Sequence, residues 1–151
     1  KRQILNVRFA GDIHFSKKVE CDVENVRVPS MILQPVVENA VNHGIRNIDW
    51  EGHIDLSVEK WNDHIEISVR DNGLGMTGEQ IQRVLSKKVH SSSGEGDSTG
   101  IGMNNVISRL ELYYERDGLM EIYSEGEGMG TEVVINIPLE RSEKNVQNPD
   151  C

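Results

Sequence analysis

The sequence predicts an α+β fold, a two-layer sandwich in which helices cover one face of a mixed, mostly antiparallel sheet. Three observations carry this. Ile54, Leu56 and Val58 alternate with polar residues, as do Ile65, Ile67 and Val69, and Trp61-Asn62-Asp63 joins the two runs as a hairpin. A second hairpin is expected where Met120 to Ser124 and Glu132 to Ile137 flank the glycine-rich stretch Glu125 to Gly130. Around these hairpins lie two apolar stripes of helical period. Helices grouped around antiparallel hairpins favour this class over a doubly wound parallel sheet.

Taken in order, Lys1 to Phe9 reads as the end of a helix, with Ile4, Leu5 and Arg8 spaced at three to four residues. A strand is expected around Val19 to Val23, where Val19, Cys21 and Val23 alternate with charged residues. The clearest helix lies between Pro29 and Gly44, because Leu33, Val36, Val37, Ala40 and Val41 form one apolar face and Gly44 supplies a stop. Pro35 lacks the amide a helix interior needs, so either the helix begins near Leu33 or it bends there. After the first hairpin, Thr77 and Gln80 form a capping-box pattern ahead of Ile81, Val84 and Leu85. Residues Ser86 to Thr99 read as a loop, and Met103, Val106, Ile107, Leu110 and Tyr114 mark another helical face. Residues 1–140 are thus expected to form one domain. In 141–151 the periodicity ends, Asn, Gln, Pro and Asp accumulate, and a disordered tail is expected.

Composition narrows the function classes. A chain of 151 residues buries enough surface to fold without disulfides or a structural metal. Cys21 and Cys151 are its only cysteines, which supports neither a disulfide framework nor a zinc site and fits a reducing compartment. A net charge of −9 opposes a nucleic-acid backbone, and no basic patch offsets it. No apolar run approaches the roughly 20 residues that span a bilayer, and Lys1 to Phe9 lacks the features of a secretory signal.

Four short motifs carry chemistry. Asp71-Asn72-Gly73-Leu74-Gly75 places a carboxylate at a strand end ahead of two glycines, which let a ligand approach the backbone closely. Gly100-Ile101-Gly102 opens a helix whose first amides form a phosphate cradle. Asn39 and His43 lie one turn apart, away from the apolar stripe; an amide oxygen there suits Mg²⁺, while a histidine near a helix C-terminus is also an ordinary capping residue. Gly128-Met129-Gly130-Thr131 leads into the last strand. Each motif alone is equally an ordinary turn or cap; their combination is what discriminates.

The string Leu33-Gln34-Pro35-Val36-Val37-Glu38-Asn39-Ala40-Val41-Asn42-His43-Gly44 resembles the N box of the GHKL ATP-binding superfamily, in particular that of LytS/YesM-type sensor histidine kinases. Asp71 to Gly75, Gly100 to Gly102 and Gly128 to Thr131 resemble its three glycine boxes in order and spacing. The resemblance implies a Bergerat-type fold with ATP or ADP bound between helices and sheet under a lid. It implies that Asp71 accepts a hydrogen bond from the adenine amine, with Thr131 holding a bridging water and Gly73 and Gly75 shaping the turn. It implies that Asn39 ligates Mg²⁺ and that Gly100 and Gly102 face the phosphates. Lys87 and Lys88 fall in the lid, and Asn105 and Arg109 match further family positions.

Hydrolases of this superfamily keep a catalytic glutamate one turn before the magnesium asparagine. Here that position is Pro35, which cannot serve as a base. Transfer to a histidine is therefore favoured over hydrolysis, with Glu38 and His43 as the candidate catalytic side chains and Glu38 as a candidate proton acceptor. None of His14, His43, His53, His64 or His90 has the Pro-His-Phe acceptor context. The resemblance thus implies a dimerisation and phosphoacceptor domain elsewhere in a homodimeric protein, a membrane sensor above this cytoplasmic domain, and a cognate response regulator. An anti-sigma-factor-like serine kinase and a non-catalytic nucleotide-sensing module are the alternatives.

Overall fold

The computed structural model describes residues 2–9, 13–20, 23, 26, 28, 32–86 and 99–139, with the backbone alone for 2–9 and 99–101. Ten elements follow in chain order: strands β1 (Arg2–Phe9) and β2 (Ile13–Glu20), helix α1 (Leu33–Asn39) running into a π-helical turn (Ala40–Ile45), strands β3 (Gly52–Lys60) and β4 (His64–Asp71), helices α2 (Gly78–Leu85) and α3 (Thr99–Tyr114), and strands β5 (Met120–Tyr123) and β6 (Thr131–Pro138). The strands form one six-stranded sheet in the order β1-β2-β3-β4-β6-β5. Among the described strands only β2 and β3 pair in parallel; the other neighbours are antiparallel. This is the mixed, mostly antiparallel α+β sandwich that the hairpins and stripes predict.

Alternation in the strands builds the core. Ile54 and Leu56 on β3, Ile65, Ile67 and Val69 on β4, Val133, Ile135 and Ile137 on β6, and Met120 and Ile122 on β5 are all buried on one face. Against them pack Val36 and Ala40 of the first helical segment and Met103, Val106, Ile107 and Leu110 of α3. Burial of side chains of this size is worth roughly 1.5–3 kcal/mol each, which drives the two layers together. The other sheet face presents His53, Asp55, Arg70, Glu121 and Tyr123, all exposed.

Four sequence expectations are corrected or resolved. Residues 2–9 are a strand rather than a helix end: Leu5, Val7 and Phe9 also alternate, a short run fits either period, and pairing with β2 decides it. The neighbouring strand is Ile13–Glu20 instead of Val19 to Val23, since Ile13, Phe15 and Val19 supply alternation in register with Gly52, Ile54 and Val58. The long helix begins at Leu33, so Pro35 falls in its first turn, where a missing amide costs nothing, and no bend is needed. Gly44 does not stop that helix, which continues as a π turn through Ile45.

The capping box is present in both halves: the Gln80 amide donates to Thr77 Oγ1 at 3.2 Å and the Thr77 amide to Gln80 Oε1 at 2.9 Å. Of the expected loop Ser86 to Thr99, Ser86 caps α2 and Thr99 already begins α3, while 87–98, with Lys87, Lys88 and His90, lie outside the described residues, as does the tail 141–151.

Candidate functional site

The site is assembled where β4 ends. Asp71 is the last residue of β4 and stands in register with Ile54 on β3 and Thr131 on β6, which places the carboxylate and the threonine side by side on the helix-covered face. Both are buried, Asp71 at 8% and Thr131 at 7% exposure. Asp71 Oδ1 accepts from the Gly73 amide at 2.9 Å. Burial raises the Asp71 pKa above the usual aspartate value, and amide hydrogen bonds from Gly73 and Thr131 oppose that rise. A buried carboxylate with a perturbed pKa, held by backbone amides, is a candidate functional group.

Three glycine-bearing segments close around it. The Leu74 amide donates to the Gly44 carbonyl at 2.8 Å, the Gly130 amide to the Gly73 carbonyl at 3.1 Å, and the Gly128 amide to the Leu74 carbonyl at 2.7 Å. The approach is too tight for side chains. A Cβ on Gly73 would lie 1.9 Å from the Gly44 carbonyl oxygen, and one on Gly130 would lie 2.1 Å from the Asp71 carbonyl oxygen. Gly75 has φ +74°, and a Cβ there would lie 2.1 Å from the Gly126 carbonyl oxygen. Gly73 and Gly75 thus admit the protein's own neighbouring backbone, where the sequence motif predicts room for a ligand, and through it they shape the turn that carries Asp71.

Two further residues hold this turn, and the motifs did not single them out. Asn72 Oδ1 accepts from the His53 amide at 2.7 Å and its Nδ2 donates to the Glu51 carbonyl at 2.8 Å, while Trp50 Nε1 donates to the Asn72 carbonyl at 2.8 Å. Ser124 Oγ accepts from the Met76 amide at 2.9 Å and donates to the Gly130 carbonyl at 2.7 Å, linking the first glycine turn to the last. The residue after Asp71 in the first motif was the available signal for Asn72; nothing in sequence pointed to Ser124.

On the helical side, Pro35 and Asn39 lie one turn apart on α1, and Asn39 is half-buried. A Cβ on Gly102 would lie 3.9 Å from Pro35 Cβ, so this face of α1 meets the start of α3. Gly100 and Gly102 fall in the first turns of α3, whose leading amides have no partner within the helix. Asn105 and Arg109 are exposed on α3. Glu38 is exposed and accepts from Gln34 Nε2 at 2.9 Å, and His43 is half-buried in the π turn. A π turn inside a helix is common at functional sites, and here it brings Gly44 against Asp71. A separate cavity of about 240 Å³, between the π turn and the first residues of β2 and β3, is lined by Ile13, Val41, Ile45, Trp50 and Gly52 among others and by neither Asn39 nor Asp71.

Known proteins resemble this chain in sequence and in fold. The family of histidine kinase-, DNA gyrase B- and HSP90-like ATPases matches residues 27–141. The sensor histidine kinase YpdA of Escherichia coli K12 is 33% identical over 146 residues, covering 92% of this chain and 22% of that protein. The sensor histidine kinase/phosphatase LytS of Staphylococcus aureus MRSA252 is 31% identical over 138 residues, covering 91% of this chain and 23% of that protein. This chain therefore spans about a quarter of the length of these curated relatives. Among solved structures, the mycobacterial sensor histidine kinase MprB superposes with a TM-score of 0.59 at 20% identity, covering 84% of each chain. The histidine kinase domain of the Erythrobacter litoralis EL346 blue-light activated kinase gives 0.57 at 19% identity, covering 89% of this chain and 55% of that one. With the glycine turns, the buried aspartate and the N-box helix on one site, the chain belongs to the histidine kinase-, DNA gyrase B- and HSP90-like ATPase family.

Proposed function

We propose that this chain is the ATP-binding catalytic domain of a two-component sensor histidine kinase, passing the γ-phosphoryl group of ATP to a histidine on a dimerisation domain outside this chain. The observation that carries the reading is Asp71, buried beside Thr131 and held by backbone amides at the end of β4. Its acceptor receives the adenine exocyclic amine, with Thr131 holding a water against the ring. Guanine presents an oxygen at that position, so an acceptor would face an acceptor at a cost of roughly 1–3 kcal/mol.

The donor set also fits Mg²⁺. Asn39 offers a neutral amide oxygen on the α1 face that meets the start of α3, and a hard cation that keeps several waters needs little more from the protein when phosphates supply the remaining ligands. Bound there, Mg²⁺ would neutralise phosphate charge. The amides opening α3 around Gly100 and Gly102 receive the phosphate oxygens.

Pro35 separates transfer from hydrolysis. It occupies the α1 position one turn before Asn39, facing Gly102, and has no group able to activate water. An imidazole acceptor attacks phosphorus without a strong base, so positioning and charge neutralisation remain as the protein's work. Glu38 takes up the released proton if the acceptor helix closes over the exposed face it occupies, and His43 lies at the same end of the helix. In the whole protein this domain acts in a homodimer, beneath a membrane sensor and upstream of a response regulator. The test is transfer of radiolabelled γ-phosphate to a separately supplied acceptor helix, as an acid-labile, base-stable linkage. Label that is acid-stable and on serine would sink the reading.

A further inference from the structure

We propose that Gly44 is a specificity-positioning residue: by lacking a side chain it leaves the space in which the Asp71 carboxylate stands, and so fixes the orientation in which that carboxylate meets a nucleobase. This rests on the reading of Asp71 as the group that recognises adenine.

The requirement at Gly44 is for space and not for backbone freedom. Its φ is not among the positive values of this chain, and it lies inside a helical turn that any residue could adopt. A Cβ built on it, however, would stand 2.8 Å from both Cγ and Oδ1 of Asp71 and 3.0 Å from Oδ2. Non-bonded carbon atoms pack best at about 3.5–4.0 Å, so something must move.

The backbones on either side are held. Asp71 is in register between Ile54 and Thr131, and its carbonyl is crowded by Gly130. The Gly44 carbonyl accepts from the Leu74 amide and is crowded by Gly73. The Asp71 side chain is the part free to turn, and turning it breaks the 2.9 Å bond from the Gly73 amide. Gly44 therefore differs from Gly73, where an added Cβ would overlap backbone and disrupt the turn itself.

The test uses this chain and its Gly44→Ala variant, first without nucleotide. Carbon-13 titration of the Asp71 carboxyl should move to higher pH in the variant, because a hydrogen bond that favours the ionised form is lost, and the Gly73 amide proton resonance should shift with it. Calorimetry should then show ADP affinity reduced about tenfold or more and the preference over GDP narrowed. In an Asp71→Asn background the same substitution should change ADP affinity less than about twofold, since the two positions act as one. An unchanged Asp71 titration and Gly73 resonance, or an equal loss of affinity in both backgrounds, would overturn the proposal. Should Gly44→Ala not fold, Asp71→Ala added to it removes the three atoms nearest the new Cβ, namely Cγ, Oδ1 and Oδ2 of Asp71. That double variant should fold as stably as Asp71→Ala alone, and its failure to do so would place the obstruction elsewhere and overturn the proposal. If Asp71→Asn alone leaves ADP affinity unchanged, the adenine reading fails separately, while the carboxyl titration still decides what Gly44 does to Asp71.

Discussion

Ionising a buried carboxylate costs free energy, and at Asp71 only the amides of Gly73 and Thr131 offset it. The net effect of folding is a pKa above the usual 3.8, so the fold disfavours the ionised form. The sign of the pH dependence follows: this group's contribution to stability is complete below the unfolded value and is lost as pH rises through the raised folded value. Replacing it by an isosteric neutral side chain removes that loss. The melting temperature of the wild type minus that of Asp71→Asn should therefore fall as pH rises above the usual aspartate value, and a flat difference would show that the carboxylate is solvated. The same substitution should weaken ADP binding by about 1–3 kcal/mol, roughly five- to 150-fold, because an amide NH₂ would face the adenine amine. Asn39→Ala makes a complementary test on α1. It leaves Val36 and Ala40 packed, so the fold should persist while the Mg²⁺-dependent part of ATP affinity is lost. Equal Mg²⁺ dependence in both proteins, by titration calorimetry, would make Asn39 structural.

At the scale of elements, the glycines separate by what surrounds them. Gly73 lies against the Gly44 carbonyl, and Gly73→Ala should destabilise the fold by at least the roughly 1–3 kcal/mol of an overpacked core site. Gly78 has nothing within 4 Å of its Cβ position and begins α2, so Gly78→Ala should stabilise by about 0.4–1 kcal/mol. Urea denaturation of the two variants checks both signs. Sequence placed Gly73 in a motif without showing which backbone it meets, and it did not single out Gly78, because a glycine's neighbours are not visible until the fold places them. What sequence did reveal was periodic or local: both hairpins, the Thr77–Gln80 capping box and the α3 stripe from Met103 to Leu110 depend on spacing within one segment. The misread elements lacked that redundancy. Residues 2–9 fit both periods and were decided by a neighbouring strand, and the continuation of the helix past Gly44 depends on packing against β3 and β4. The candidate site was legible as motifs in order. The Asn72 clamp and the Ser124 link were not, since their partners lie far away in sequence.

On the proposed reading, the end of the sheet that carries Asp71 reads a base while the face of α1 that meets α3 reaches toward phosphates, and the chemistry depends on what stands at Pro35. The face of α1 bearing Pro35 and Asn39 meets the start of α3, so a glutamate at position 35 would stand one turn from the magnesium-binding candidate, where a hydrolase needs its base. Proline leaves that place chemically inert while costing the helix nothing in its first turn. Water bound there lacks activation, and an imidazole presented by another domain does not need it. The chain alone should therefore bind ATP yet neither label itself nor release phosphate quickly, and label should accumulate only on an added acceptor helix carrying a histidine. None of the chain's own histidines lies in an acceptor sequence, and three of them, His14, His53 and His64, belong to β2, β3 and β4 rather than to a helix that could present an imidazole to the nucleotide. A time course with γ-labelled ATP, followed by acid and base treatment of the product, checks each part. Rapid phosphate release from the isolated chain would show that another group activates water despite Pro35, and label on the chain itself would require an acceptor among the residues already present.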